Sequence, residues 1–324
     1  MKGLGLILSF VFLSGCAGVN ISLIPPVKPL EEKVLEGEGE PKILLLDLDG
    51  PISFREESDA LGLRTRPSKV AFFREALRKA EADEEIAGVI LRINSPGGTV
   101  AASDTIYHEI RNFKKKRKIP VYAYILELCA SGGYYVACAS DRIIASPNAV
   151  TGSIGVLAMK VNVEGLLSKI GVSEETYKSG PHKDFWSPFR PSTEEEKRMF
   201  QEVIDQLYGR FVEVVSTNRE KVLSEREVRA LADGRIWTAR GALEAKLIDQ
   251  VSYLDEAIES MKKALSIERA RVVTYLRPRT FRSGIYSDYS EGPAANSPVI
   301  NFIALSAESW SFPPTVRFLY LWNP

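Results

Sequence analysis

Short apolar runs alternate with amphipathic stretches over the first half of the chain. Residues 43–48 are almost unbroken apolar and end at Asp49-Gly50-Pro51, the pattern of a strand buried on both faces. Residues 68–82 carry Val70, Phe72, Phe73, Ala76, Leu77 and Ala80 at helical spacing, with Ser68 as candidate cap. Residues 87–94 form a second buried strand, closed by Ser95-Pro96-Gly97-Gly98. A helix over 101–113 follows, then a third strand over 121–126 behind the breaker Pro120. Residues 134–139 are apolar enough to begin a helix, and 142–145 make a further short strand. This order predicts an α/β fold with a mostly parallel sheet layered with helices.

The second half is more helical. A glycine-broken apolar segment over 151–156 leads to a short helix over 163–170 and a strand over 174–178. A long amphipathic helix is expected over 192–217, shorter ones over 223–232, 238–246 and 254–265, and a last strand over 271–275. Composition sets the outer limits. Residues 17–41 hold four prolines and an acidic, glycine-bearing stretch, so they read as an extended, weakly structured tether. The folded domain is placed at 42–275. From 276 to 324 glycine, serine and proline give an irregular, peripheral tail, whose apolar finish over 316–322 could dock on the body or on a neighbour.

Charge narrows the partners. The 324 residues carry 42 basic and 42 acidic side chains, a balance that argues against nucleic acid, which needs a basic excess. The run Lys114 to Lys118 suits a solvated helix end. Residues 1–16 are a targeting segment: Lys2, then an apolar stretch over 3–14 too short to span a bilayer. Leu13-Ser14-Gly15-Cys16 resembles a lipoprotein processing box. That resemblance implies cleavage before Cys16, a lipid on its thiol, and an extracytoplasmic body held to the membrane. With Ala17 next, it implies the outer membrane in a Gram-negative cell.

Candidate chemistry centres on Cys129-Ala130-Ser131-Gly132-Gly133. A serine at a strand-to-helix turn before two glycines can hold its hydroxyl clear of the backbone. It also aims the following N–H groups at the same space. The plain alternative is an N-cap serine in a glycine turn. Cys129 and Cys138 flank this turn in apolar surroundings and are expected as buried thiols, with a disulfide as the other possibility. A serine nucleophile needs a base. The only histidines are His108, within a helix, and His182 in a polar loop. No metal-ligand spacing or nucleotide fingerprint occurs, so no cofactor is expected.

Three glycine-rich signals follow in order, Asn94 to Gly98, Ala130 to Gly133 and Thr151 to Gly155. Then comes the loop Tyr177-Lys178-Ser179-Gly180-Pro181-His182-Lys183-Asp184, and later Gly234 to Ala242. In this order the chain, from about residue 43 to 262, resembles the signal peptide peptidase A family. These are membrane-associated serine proteases with a Ser/Lys dyad on the ClpP/crotonase fold. The resemblance implies Ser131 as nucleophile, Lys183 as general base, Ser153 as the serine that orients the lysine, and the Gly98 and Gly132 amides as oxyanion donors. It further implies released signal peptides as substrates and a homo-oligomeric ring. The base must be neutral, so Lys183 is expected in a desolvated pocket with Asp184 turned away. Two other readings remain at this stage: another acyl-transfer enzyme on the same fold, and a non-catalytic lipoprotein scaffold.

Overall fold

The structure, a computed structural model, describes residues 28–58, 65–278, 280–287, 290–291 and 319–321. The targeting segment with Cys16, the first part of the tether and most of the tail lie outside the described residues.

The body is built on a nine-stranded sheet. In chain order its strands are β1 (Glu31–Glu36), β2 (Lys42–Asp49), β3 (Ile86–Ser95), then β5 (Val121–Ala130) after the short β4 (Gly97–Thr99), which lies outside the sheet. There follow β6 (Arg142–Ala145), β7 (Val150–Gly152), β8 (Ile236–Thr238), β9 (Gln250–Val251) and β10 (Arg271–Leu276). The spatial order is β1-β10-β2-β3-β5-β6-β9. Every pairing from β10 to β9 along this path is parallel, as expected where helical crossovers return the chain to the same edge.

The helices are α1 (Lys69–Ala82), α2 (Val100–Arg117), α3 (Gly132–Ala137), α4 (Glu164–Lys169), α5 (Glu194–Arg219), α6 (Glu225–Leu231), α7 (Ala239–Glu244) and α8 (Leu254–Leu265). They cover both faces. Leu44, Leu46 and Leu48 pack with Phe73, Ile106 and Phe211 on one side. Ile43 and Leu45 pack with Leu254, Ile258 and Met261 on the other. That two-sided burial is why β2 reads as a continuous apolar run rather than an alternation.

Local signals explain the element ends. Ser68 caps α1 by accepting from the Ala71 N–H at 3.2 Å. Thr193 and Glu196 make a reciprocal capping box at α5. The basic run closes α2, but it does more than face water. Arg117 donates to the carbonyls of Ala80, Glu81, Asp83 and Ile86, satisfying the end of α1 and the start of β3.

Three expectations change. The acidic stretch 31–36 is not loose: β1 pairs antiparallel with β10, its side chains alternating between solvent and partial burial. Residues 174–178 form no strand and are exposed. Part of the tail is docked, because Arg282 is fully buried and joins Arg92 on the Asp47 carboxylate. The two guanidiniums share one carboxylate, and the surplus positive charge is met by the carbonyls of Gly284, Ile285 and Ser287.

Candidate active site

β5 changes partner along its length. Its first half, Tyr122 to Ile125, pairs with β6, whereas Leu128, Cys129 and Ala130 pair with Val150, Thr151 and Gly152 of β7. The chain leaves the sheet at Ser131 with φ 53° and ψ −115°, a conformation that favours glycine and is strained for serine. Its N–H donates to the Gly152 carbonyl at 2.8 Å, and its own carbonyl accepts from Tyr135 at 2.9 Å. The Ser131 side chain makes no capping bond to α3. The plain N-cap reading therefore does not apply: the backbone is strained to place this residue, and the hydroxyl is not spent on the helix.

Ser153 stands one residue past the Ala130–Gly152 pairing, so it lies beside Ser131 in register. It also has a positive φ, 51°, and is largely buried. Its N–H donates to the Arg235 carbonyl at 2.7 Å. β8 pairs antiparallel with β7, and the Trp237 ring lies so close that a Cβ on Gly152 would be 2.7 Å from it. The stretch from Gly234 to Ala242 thus clamps the Ser153 turn. Sequence reading named the stretch without assigning it that task.

The glycine pair of β4 completes this corner. Gly97 O accepts from the Ile52 N–H at 2.8 Å, and Ile52 O accepts from the Thr99 N–H at 2.9 Å. Gly98, between them, therefore turns its N–H to the opposite side. A Cβ on Gly132 would stand 3.1 Å from Gly98 N, and one on Gly97 2.6 Å from Gly132 N. The two backbone amides lie side by side, with no room for side chains around them. Ile52 is a partner that nothing in its sequence signals, since it acts through its backbone alone.

Lys183 is not brought to this corner. Residues 180–186 form turns on the surface, and Lys183 is exposed, with no hydrogen bond to Ser131. Asp184 does turn away from it. Arg190 and then Lys178 hydrogen-bond that carboxylate and hold it well below the usual range. Arg190 also binds Glu196, whose carboxyl falls to about 2 chiefly through that bond. The loop is thereby stapled to α5. In the segment that precedes it along the chain, Met159, Leu166, Ile170, Val172 and Tyr177 are exposed. Among the described residues Lys183 keeps its exposed surface.

The histidines do not compete. His182 lies 3.9 Å from Glu195 on the surface, and His108 contacts Asn112 within α2. Cys129 and Cys138 are both free and buried. Burial pushes the Cys129 thiol far up and the Cys138 thiol up to about 12, so neither offers a thiolate.

Comparison with known proteins places this corner in a family. A family model described as peptidase family S49 matches residues 113–268, and one described as Clp protease matches residues 69–151. An Enterococcus faecium protein provisionally named signal peptide peptidase SppA is 39% identical over 263 residues, spanning 81% of this chain and 75% of its own. The chain belongs to peptidase family S49. As an S49 member it is a serine protease with a ClpP-like fold. Its similarity to Protease 4 of Haemophilus influenzae is 36% identity over 190 residues, 59% of this chain and 30% of the other. A solved structure, a serine-to-alanine mutant of the 1510-N membrane-bound stomatin-specific protease, aligns with a TM-score of 0.43 and 14% identity, covering 68% of this chain and 85% of the other.

Proposed function

We propose that this S49 protease is a membrane-anchored, extracytoplasmic endopeptidase that cuts released signal peptides and other unfolded apolar segments through a Ser131/Lys183 dyad. The observation that carries the reading is the uncapped Ser131 hydroxyl, held by a strained backbone beside the Gly98 and Gly132 amides. Ser131 Oγ attacks the peptide carbonyl while neutral Lys183 takes its proton. The two amides stabilise the oxyanion, and the proton passes to the leaving amine. Water, deprotonated by the same lysine, then releases the acyl group, with Ser153 orienting the amine.

Lys183 reaches the serine in a ring of copies, where a neighbour covers the exposed apolar loop and strips water from the ammonium. The exposed Lys183 and the exposed apolar side chains of the preceding segment support this step. A lipid on Cys16 holds the ring at the membrane. No helix among the described residues is long and apolar enough to cross one.

A fluorophosphonate probe tests the nucleophile. Mass spectrometry is expected to find it on Ser131, and an unlabelled serine in folded protein overturns the reading. Lys183→Ala is expected to lose roughly three orders of magnitude or more in turnover of a chromogenic peptide ester. Near-wild-type turnover removes lysine as the base.

A further inference from the structure

α1 and α2 bury Phe73, Leu77, Ile106 and Ile110 in the same core and lie side by side. Lys116 reaches Glu81 at 2.8 Å, and Arg117 donates to the last carbonyls of α1. Together with Lys118 the two helices hold ten basic side chains against four acidic ones, in a chain whose total charge is zero. Each of those four acids is already held. Arg277 binds Glu75, Lys116 binds Glu81, Arg210 and Tyr135 bind Asp104, and Arg74 lies 3.9 Å from Glu109. Just beyond α1, Lys42 binds Asp83 and Glu85, while the exposed Glu84 offsets one charge. Within the basic run Lys114, Lys116 and Arg117 tie elements together. Lys115 and Lys118 are exposed, as are Arg78 and Lys79 on α1. A solvated helix end accounts for the tip of α2, but not for cations spread along both helices.

The chain enters the body at this pair of helices. The Leu30 N–H donates to Glu75 Oε1 of α1 at 3.2 Å, and Arg277 holds both Glu75 and the Lys28 carbonyl. Lys28 lies 12 positions after Cys16, a span of at most about 40 Å. A lipid on Cys16 thus keeps α1 near the bilayer, yet a single tether leaves the body free to turn. α2 runs 18 residues from the β4 corner, about 27 Å. Its cations, Arg111 and Lys114 to Arg117, all lie in its second half, the end remote from Ser131.

We propose that the outward side of α1 and α2, with Arg78, Lys79, Arg111, Lys115 and Lys118, docks on anionic phospholipid headgroups and orients the body on the membrane. This rests on the reading of Cys16 as lipid-bearing, which brings that surface within reach. Each basic side chain near an anionic leaflet raises partitioning about fivefold. The tether keeps the local lipid concentration high, so a handful of such contacts suffices. Headgroup phosphates accept hydrogen bonds from lysine and arginine alike. A nucleic acid offers the same phosphates, but no tether leads to it. Contact at the remote half of α2 leaves the Ser131 corner uncovered and at a set height above the lipid.

The test is a lysine footprint on vesicles. The full chain, purified from membranes, is reconstituted into phosphatidylcholine alone or phosphatidylcholine mixed with phosphatidylglycerol, then treated with a water-soluble N-hydroxysuccinimide ester. By peptide mass spectrometry, Lys115 and Lys118 are expected to react at least about fivefold more slowly on the anionic vesicles. Lys263, exposed on α8 across the sheet, is expected to react equally on both. The difference is expected to vanish in about 0.5 M salt, where the screening length falls to about 4 Å. Arg78→Gln/Lys115→Gln/Lys118→Gln is expected to lose the protection of Lys79 while hydrolysing a soluble peptide ester at the wild-type rate in detergent. Equal labelling of Lys115 and Lys118 on the two vesicles overturns the proposal. Protection by soluble heparin but not by anionic vesicles assigns the patch to a free polyanion and also overturns it. The mass of the Cys16 peptide separates the two readings. Protection on a chain without lipid upholds the docking side and rejects the anchor, and a lipid with equal labelling does the reverse.

Discussion

Ser131 and Ser153 leave the ends of two paired parallel strands with the same positive φ, 53° and 51°. Two strained serines side by side are held from outside: Ser131 by the Gly152 carbonyl, Ser153 by Arg235 and the Trp237 clamp. Strain of this kind persists only where the surroundings over-determine it.

Ser131→Gly is therefore expected to abolish hydrolysis while stabilising the fold by about 1 kcal/mol, since glycine adopts this φ without penalty. Thermal unfolding followed by circular dichroism checks it, with a rise of about 2–4 °C expected for a body of this size. An unchanged or lowered midpoint would show that the serine is at ease in this conformation.

Lys183 and Ser131 are expected to belong to different copies at each working site. Mixing Ser131→Ala with Lys183→Ala chains, each inactive alone, then restores hydrolysis at roughly a quarter of the sites by random neighbour pairing in a closed ring. If the mixture stays as inactive as its parts after subunit exchange, the lysine acts within its own chain.

Gly98 tolerates no side chain. An added Cβ would lie 1.9 Å from the Ile52 carbonyl oxygen and 2.6 Å from Ile52 N, backbone atoms that cannot move without undoing their bonds to Gly97 and Thr99. Gly98→Ala is expected to destabilise by about 2 kcal/mol and to lose peptide binding together with turnover. Urea unfolding with a parallel binding titration measures both, and wild-type values for both would mean that the turn is pliable.

The staple on the Lys183 loop is acid-labile in a defined window. Asp184 and Glu196 both titrate below their ordinary values because Arg190 binds them. Groups with a depressed native pKa contribute fully above about pH 4.5, the unfolded carboxylate range, and lose that contribution as pH falls toward 2. Amide hydrogen exchange over residues 178–192 is expected to accelerate beyond its intrinsic rate across that window. Arg190→Gln is expected to show the faster exchange already at neutral pH. Constant protection from pH 5 to 2.5 would mean the ion pairs do not hold the loop.

Much of the scaffold was legible from pattern alone, and the reasons are local. Residues 43–48, 87–94 and 121–126 are buried on both faces, so hydrophobicity announces them. Ser68, the candidate cap, does cap its helix. Strand β1 was illegible because its glutamates face solvent and its stability comes from β10, far along the chain. Residues 174–178 carry strand-like composition but find no partner strand. At the site, glycine spacing marked Gly98, Ser131 and Ser153, because the turns that place them need glycines beside them. The exposure of Lys183 could not be read, because solvation belongs to the surroundings rather than to the residue. Ile52, Leu157 and Tyr320 reach the corner through long-range strand contacts that have no local signature.

The seating of Tyr320 on Gly98 ties the far end of the chain to the glycine edge. A pairing between segments so distant in sequence carries a large loop-closure cost and closes late in folding. Clipping the chain between residues 291 and 319 is therefore expected to loosen β4 first, ahead of the sheet itself.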